Sequence, residues 1–373
     1  MVFAERLECY DCKKEFGPGA VLFECTKCKG PLHFHYDVKK IKKLIASNDF
    51  RKAEVHHWKY WMFYPITDLS SIVTMHEGGT PLIKSSKRKG YYFKFEGVNP
   101  TGSFKDRGSS IEVTKARQLG VKELVCASTG NMGASVAAYS ARAGVKATIY
   151  APSFAPLEKL AQIKAHGANV VSVKGSYDEA FQEVRRLWLE EKAYLAGDYV
   201  YRAEGSKSVG MEIVDQLSWS APEYVVCPIG MGNLVSGVFK GLNEFKKAGL
   251  LERLPKIIGV QAEGCAPIAG AAAKGSGEIA RVKNPETIAE AINCGNPNYW
   301  RAALDAMRKT KGTGVVVSDA EIMNARSELG REGIYAEPAG AAALAGALKL
   351  GLKESVACVV TGHGLKDSFP GKS

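Results

Sequence analysis

The 373-residue sequence has no run of 18 apolar residues, which removes the usual signature of a membrane-spanning helix. Its opening, MVFAERLECY, sets Glu5 and Arg6 where a secretory leader needs an apolar core, so a cytoplasmic chain is expected. No repeat, low-complexity tract or long linker is present, which argues against a repeat array or a disordered scaffold. Lys and Arg outnumber Asp and Glu by 50 to 39, yet no basic helix or tail collects the net charge of +11, and only Lys84 to Lys94 forms a modest cluster. The excess reads as solvated lysines, and neither a nucleic-acid nor a membrane partner is expected. What remains is ordinary globular composition, 46% hydrophobic and 24% charged, at a length that suits two domains and a small appendage.

Nine cysteines fall into two groups. Cys126, Cys227, Cys265, Cys294 and Cys358 stand singly among apolar or small residues and read as buried hydrophobes. Cys9, Cys12, Cys25 and Cys28 form CxxC, twelve residues, CxxC, the spacing by which two knuckles offer four thiolates to one tetrahedral zinc. A redox dithiol needs only one such pair beside a βαβ unit. Four ligands leave no open position, so the zinc is expected to be structural, stapling a segment too short to own a core. His33 and His35 alternate with Leu32 and Phe34 and read as the polar face of a strand.

Beyond about Lys39 short β-branched runs alternate with longer helical patterns. Strands are expected at Tyr91–Phe95, Glu123–Ala127, Ala147–Tyr150, Asn169–Val173, Tyr224–Pro228, Ile257–Gln261, Val315–Val317 and Val356–Val360. Helices are expected at Ser103–Leu119, Ala134–Ala143, Tyr177–Lys192, Val209–Leu217, Leu234–Ala248 and Ala339–Leu348. The alternation predicts an α/β fold of open parallel sheets covered by helices, with ligands where strand C-termini meet helix N-termini. Composition does not divide the strands between sheets.

Three junctions carry chemistry. NPTGSFKDRG, Asn99 to Gly108, sets Lys105 at the opening of a helix, where a surface lysine has no reason to stand. ASTGNMGAS, Ala127 to Ser135, follows an apolar strand with small residues whose N–H groups suit an anion such as a carboxylate. CPIGMGNLVSG, Cys227 to Gly237, suits a phosphate, but it lacks the third glycine of the dinucleotide fingerprint and the lysine and hydroxyl of a Walker loop.

With EGGTPL at Glu77, EPAGAAALAG at Glu337 and TGHGLKD at Thr361, these stretches resemble, in order, the threonine synthase branch of the fold type II pyridoxal phosphate enzymes. The resemblance runs from about His56 to Asp367, and many archaeal-type members also begin with a zinc ribbon. It implies a two-domain, tryptophan synthase beta-like fold: a ribbon over 1–36, a large cofactor-binding domain over 37–105 and 197–373, and a small mobile domain over 106–196. Lys105 is implied as the amine that carries pyridoxal 5'-phosphate and takes the Cα proton. Asn131 is implied at the phenolic oxygen, Gly230, Met231, Gly232, Asn233 and Leu234 around the phosphate, and Thr361 at the pyridine nitrogen. Ser128, Thr129 and Gly130 are implied at the substrate carboxylate, with Arg202 as a substrate clamp.

The implied reaction turns O-phospho-L-homoserine and water into L-threonine and phosphate, in a cytoplasmic homodimer. Departures from the pattern fall on the substrate side. Met132 replaces a threonine, and Ala196 and Gly197 replace an Asn-Ser pair. The glycine loop also resembles that of serine and threonine dehydratases. A relative acting at Cβ, an ammonia-lyase or a phosphoserine-dependent cysteate or cysteine synthase, is the alternative. For Arg202 the structural alternative is an ion pair with a neighbour such as Glu204.

Overall fold

The computed structural model describes residues 3–153, 155, 157–175, 177–190 and 192–366. Strands β1 (Ala4–Cys9), β2 (Glu15–Phe16) and β3 (Leu32–Tyr36) form an antiparallel sheet in the order β2-β1-β3. Alternation buries Leu7, Cys9, Leu32, Phe34 and Tyr36 on one face and leaves Arg6, Glu8, His33 and His35 on the other. Helix α1 (Val38–Ala46) follows, its first turn capped by the Asp37 side chain, which accepts from the Lys40 N–H. A 3-10 stretch, His57–Phe63, then drives Trp58, Tyr60 and Phe63 into the core.

The remaining elements alternate along the chain. They are β4 (Leu82–Lys84), β5 (Tyr91–Phe95), α2 (Lys105–Gln118), β6 (Glu123–Ala127), α3 (Asn131–Ala143), β7 (Lys146–Pro152), α4 (Leu157–Ala165), β8 (Asn169–Val173), α5 (Tyr177–Leu189), β9 (Tyr194–Leu195), α6 (Val200–Gln216), β10 (Tyr224–Pro228), α7 (Asn233–Lys247), β11 (Lys256–Ala262), α8 (Pro267–Ala273), α9 (Trp300–Lys309), β12 (Thr313–Val317), α10 (Asp319–Gly330), α11 (Pro338–Lys349) and β13 (Val356–Val360). Of the helix expected over 177–192, residue 191 lies outside the described residues.

They sort into two sheets. One has the order β12-β11-β10-β13-β5-β4 and is parallel except for the hairpin of β4 with β5. The other, β8-β7-β6-β9, is wholly parallel. The apolar runs of β6, β10 and β13 are buried, as parallel strands covered by helices require. Among the described residues no helix is long and apolar enough to cross a membrane.

Helix α6 begins at Val200, nine residues before the expected start. Its first half, VYRAEGSKS, is polar in sequence but wholly buried, because its charges find partners far away in the chain. It crosses α2 so closely that a Cβ on Gly205 would stand 2.2 Å from the Arg107 carbonyl oxygen. Below this crossing lies a sealed charge network. Arg107 donates to Glu96 at 2.6 and 2.8 Å and to Glu212 at 2.6 and 2.8 Å, and Lys94 donates to Glu212 at 2.7 Å. The network pins α2 to β5 and α6, and α2 begins with Lys105.

Candidate active site

Lys105 is the first residue of α2, and the segment before it is stitched to the end of β13. The Phe104 N–H donates to the Thr361 carbonyl at 3.0 Å, and Ser103 forms a bridge with Gly362. The Lys105 Nζ lies 4.0 Å from Asp198 Oδ1, with both side chains only partly exposed. Asp198 in turn accepts from Asn233 Nδ2 at 2.7 Å. Burial works against the charge of Asp198, but Lys105, Arg202 and the Asn233 amide more than offset it and hold the carboxyl below its usual range. Asp198 is therefore an anion beside the lysine. Sequence reasoning missed it, although it stands within AGDYVYRAEG.

The glycine loop joins β10 to α7. Gly232 caps α7 at φ +97°, and a Cβ there would meet the Tyr299 carbonyl oxygen at 2.9 Å, so glycine is required on two counts. The Tyr299 N–H donates to the Met231 carbonyl at 3.0 Å and fixes the loop. The Cys294 thiol touches Met231 Sδ at 2.9 Å, which brings one of the single cysteines to this loop. The first N–H groups of α7, from Asn233 and Leu234 onward, have no partner within the helix, as at any helix N-terminus. Asn233 Oδ1 is buried without a hydrogen-bond partner.

Asn131, at the start of α3, and Thr361, just after β13, converge on one residue. Asn131 Nδ2 donates to Glu337 Oε2 at 2.8 Å, and Thr361 Oγ1 donates to Glu337 Oε1 at 2.8 Å. Glu337 is buried at the start of α11, its own N–H bonded to the Gly362 carbonyl at 3.0 Å. The sequence displayed it within EPAGAAALAG without a role. Ser128, Thr129 and Gly130 lead into α3. Ser128 Oγ accepts from the Gly133 N–H at 3.0 Å and caps the helix, while Thr129 and Gly130 are more open. Met132, the next residue of α3, is buried at 8% exposure in the hydrophobic core.

Arg202 is the residue whose surroundings differ most from a clamp. Its Nη2 donates to Glu112 Oε2 at 2.6 Å and to Ser109 Oγ at 3.2 Å, Nη1 to the Lys105 carbonyl at 3.2 Å, and Nε to the Gly197 carbonyl at 3.3 Å. Four of its five N–H groups are thus engaged. Its ion-pair partner is Glu112 of α2; Glu204 pairs instead with Lys207 and Lys240.

A family model described as pyridoxal-phosphate dependent enzyme matches residues 73–362. The chain belongs to this family. It is 43% identical to the threonine synthase of Methanocaldococcus jannaschii over 96% of this chain and 92% of that one. It is also 43% identical to the threonine synthase of Methanosarcina acetivorans, over 97% and 92%. Among solved structures it resembles a threonine deaminase from T.th., with a TM-score of 0.68 and 26% identity over 78% of this chain and 94% of that one. The fold is shared with maize serine racemase, at a TM-score of 0.67 and 24% identity over 76% and 88%.

Membership makes the chain an enzyme dependent on pyridoxal 5'-phosphate, and the residues fit that group. A partly exposed lysine amine is available to the aldehyde, and a glycine loop with no room for a Cβ at Gly232 leads into a helix N-terminus whose first N–H groups can bind a phosphate.

The four N-terminal cysteines also converge. Cys9 Sγ lies 3.4 Å from Cys28 Sγ and Cys12 Sγ 3.6 Å from Cys25 Sγ, with all four within 4.8 Å of one another. Zinc–sulfur bonds of ~2.3 Å in a tetrahedron require sulfurs about 3.8 Å apart, so the cluster matches that ion. Each knuckle closes alike: Lys13 and Lys29 take left-handed φ of 61° and 63° and donate to the Cys9 and Cys25 carbonyls at 3.1 and 2.9 Å.

Proposed function

We propose that the chain is a threonine synthase, converting O-phospho-L-homoserine and water into L-threonine and inorganic phosphate. The observation that carries this reading is 43% identity to two archaeal threonine synthases over nearly the whole length of both partners. Bound pyridoxal phosphate supplies an electron sink that lets protons leave the carbons near an amino group. The chain's own groups do the rest. Lys105 Nζ would hold the cofactor and would serve as the base for the substrate's Cα proton. Backbone N–H groups from Gly230 to Leu234 would hold the cofactor phosphate, and Asn131 and Thr361, both bonded to Glu337, would bind its phenolic oxygen and pyridine nitrogen. Ser128, Thr129 and Gly130, at the N-terminus of α3, receive the substrate carboxylate.

Arg202, expected as the substrate clamp, has one N–H left for that task. Its greater part in this proposal is to fix Lys105 through the lysine's own carbonyl. We also propose one structural zinc at Cys9, Cys12, Cys25 and Cys28, a smaller domain over 106–196 that carries the four-stranded sheet, and a cytoplasmic homodimer. Metal analysis and light scattering on the purified chain test the zinc and the dimer.

Two observations favour the alternative of chemistry at Cβ with no phosphate to hold. Met132 follows Asn131 with a buried apolar side chain in place of a hydroxyl, and the ionised Asp198 stands 4.0 Å from Lys105 Nζ. The deciding experiment supplies O-phospho-L-homoserine and L-serine in turn. Phosphate and threonine from the first support the proposal; a 2-oxo acid from serine, with no phosphate released from the first, replaces it with the ammonia-lyase reading.

A further inference from the structure

We propose that the N-terminal ribbon binds a second divalent transition-metal ion, held by Glu8, His33 and His35. These residues lie on the strand face opposite to that of Cys9. The placement follows from strand periodicity: Leu32, Phe34 and Tyr36 are buried, so His33 and His35 share the outer face of β3, as Glu8 shares that of β1 with Arg6. The antiparallel register sets Glu8 directly opposite His33 and brings His35 to the diagonal position.

The result is a compact set of ligand atoms. Glu8 Oε2 lies 3.1 Å from His35 Nε2 and Oε1 lies 3.7 Å from His33 Nε2, and one ligand atom from each of the three residues falls within 4.8 Å of the other two. Bonds of ~2.0–2.1 Å to nitrogen and oxygen in a tetrahedron need ligand atoms about 3.4 Å apart, so small side-chain rotations complete the site. His33 Nδ1 makes no hydrogen bond, and neither does His35 Nε2 although Glu8 Oε2 stands 3.1 Å away; a metal ion bonded to both Glu8 and His35 satisfies the buried His35 nitrogen. Side-chain exposures of 15% for Glu8, 21% for His33 and 32% for His35 leave room for water to complete the coordination shell.

Two imidazoles and a carboxylate without thiolate suit Zn²⁺, Ni²⁺, Co²⁺ or Cu²⁺ rather than Mg²⁺ or Ca²⁺. The cations nearby do not block the site. Arg6 and Lys13 approach Glu8 no closer than 3.8 Å, and each has another partner: Arg6 Nε pairs with Glu15 at 2.9 Å and Lys13 Nζ donates to the Tyr10 carbonyl at 2.8 Å. Lys240 is committed to Glu204 at 3.0 Å and to Glu244.

The test is a calorimetric titration of the full chain, already loaded with zinc and pyridoxal phosphate, with Ni²⁺. One further equivalent is expected to bind. His33→Gln and His35→Gln are each expected to weaken it by more than about a hundredfold, beyond the ~10–100-fold that the loss of an outer contact to a ligand costs. The double variant should abolish it, with the cysteine-bound zinc and cofactor absorbance unchanged. No further equivalent, or equal affinity in the double variant, overturns the proposal. Because the variants could disturb the ribbon, electron paramagnetic resonance of the unsubstituted chain with one added Cu²⁺ provides a second readout. Coupling to two imidazole nitrogens is expected, and a signal without nitrogen coupling overturns the site.

Discussion

Glu112 and Arg202 face each other at 2.6 Å with both side chains sealed from water. Burial pushes the Glu112 carboxyl up while Arg202 pulls it back, and Glu112 with Asp198 sustains the guanidinium charge against its own burial. Arg202→Ala strands a buried carboxylate and should cost ~3–5 kcal/mol in denaturant unfolding. Arg202→Lys keeps the charge but loses the fork that also grips the Lys105 carbonyl. It should therefore raise KM for phosphorylated and unphosphorylated amino acids by similar factors. A loss confined to phosphorylated substrates would instead return Arg202 to the substrate phosphate.

Lys105→Ala should remove turnover while far-ultraviolet circular dichroism and the thermal midpoint stay near those of the parent. The side chain makes no core contact on which the fold depends: its Nζ is partly exposed, over the Phe104 ring at 4.7 Å and 4.0 Å from Asp198. Retained activity with normal cofactor absorbance would remove Lys105 from the chemistry.

Glu337 joins Asn131 to Thr361, so its replacement should act through both. Glu337→Gln keeps the shape but offers an NH₂ where one of the two donors now finds an acceptor. The lost charge-assisted bond is worth ~1.5–3 kcal/mol, so retention of pyridoxal phosphate in equilibrium dialysis should fall by about tenfold or more. Unchanged retention would limit Glu337 to capping the start of α11.

These residues differ in how far they could be read in advance. Lys105, Asn131 and the Gly230 loop stand at or near the openings of helices α2, α3 and α7, where glycines and small residues mark the turn in the sequence itself. Strands such as Tyr91–Phe95 and Val356–Val360 match expectation to the residue because continuous apolar runs bounded by turns carry that signal. Asp198, Glu112 and Glu337 were not legible as partners, because a buried charge looks like a surface charge until the distant residue that neutralises it is known. The same ambiguity hid the first half of α6, whose buried Arg202, Glu204 and Lys207 imitate a solvated loop. It also pointed Arg202 toward Glu204 as its alternative partner, whereas the fold supplies Glu112.

The ribbon reaches the site by two contacts, Phe23 on Tyr199 and the Leu32 carbonyl, which accepts from the Tyr299 hydroxyl at 3.4 Å. Phe23, between the two knuckles in sequence, stacks on Tyr199 at 5.2 Å, next to Asp198, and its ring lies 3.5 Å from where a Cβ on Gly197 would stand. Ion pairs of Glu24 with Arg185 at 2.7 Å and of Asp11 with Arg301 at 3.1 Å dock the ribbon against both halves of the chain. Zinc loss through Cys28→Ser should loosen residues up to about Tyr36 and lower the thermal midpoint while pyridoxal phosphate still binds. Through Phe23 it should also raise KM several-fold. Hydrogen exchange at residues 197–199 checks the path, and unchanged exchange there would confine the effect to the ribbon.

His57 gives the stability curve a predictable slope. The ring is fully buried, with Nδ1 at 2.9 Å from Ser208 Oγ and Nε2 without a partner. Burial, reinforced by Arg107 and partly opposed by Glu77 and Glu212, pulls its pKa down to about 4. The unfolded ring takes a proton near pH 6.5 and the folded ring does not, so this contribution is complete above about pH 6.5 and is lost as pH falls toward 4. The loss amounts to ~3 kcal/mol at most. Asp106, raised to about 6 chiefly by burial, works the other way, since its folded form holds a proton that the unfolded chain has released, and stability falls as pH rises toward 6. Comparing the parent with His57→Gln cancels the Asp106 contribution. The stability advantage of the parent over the variant, measured by urea unfolding, should shrink steadily from pH 7.5 to 4.5. A constant difference across that range would mean that the folded His57 ring takes its proton near pH 6.5, as the unfolded ring does.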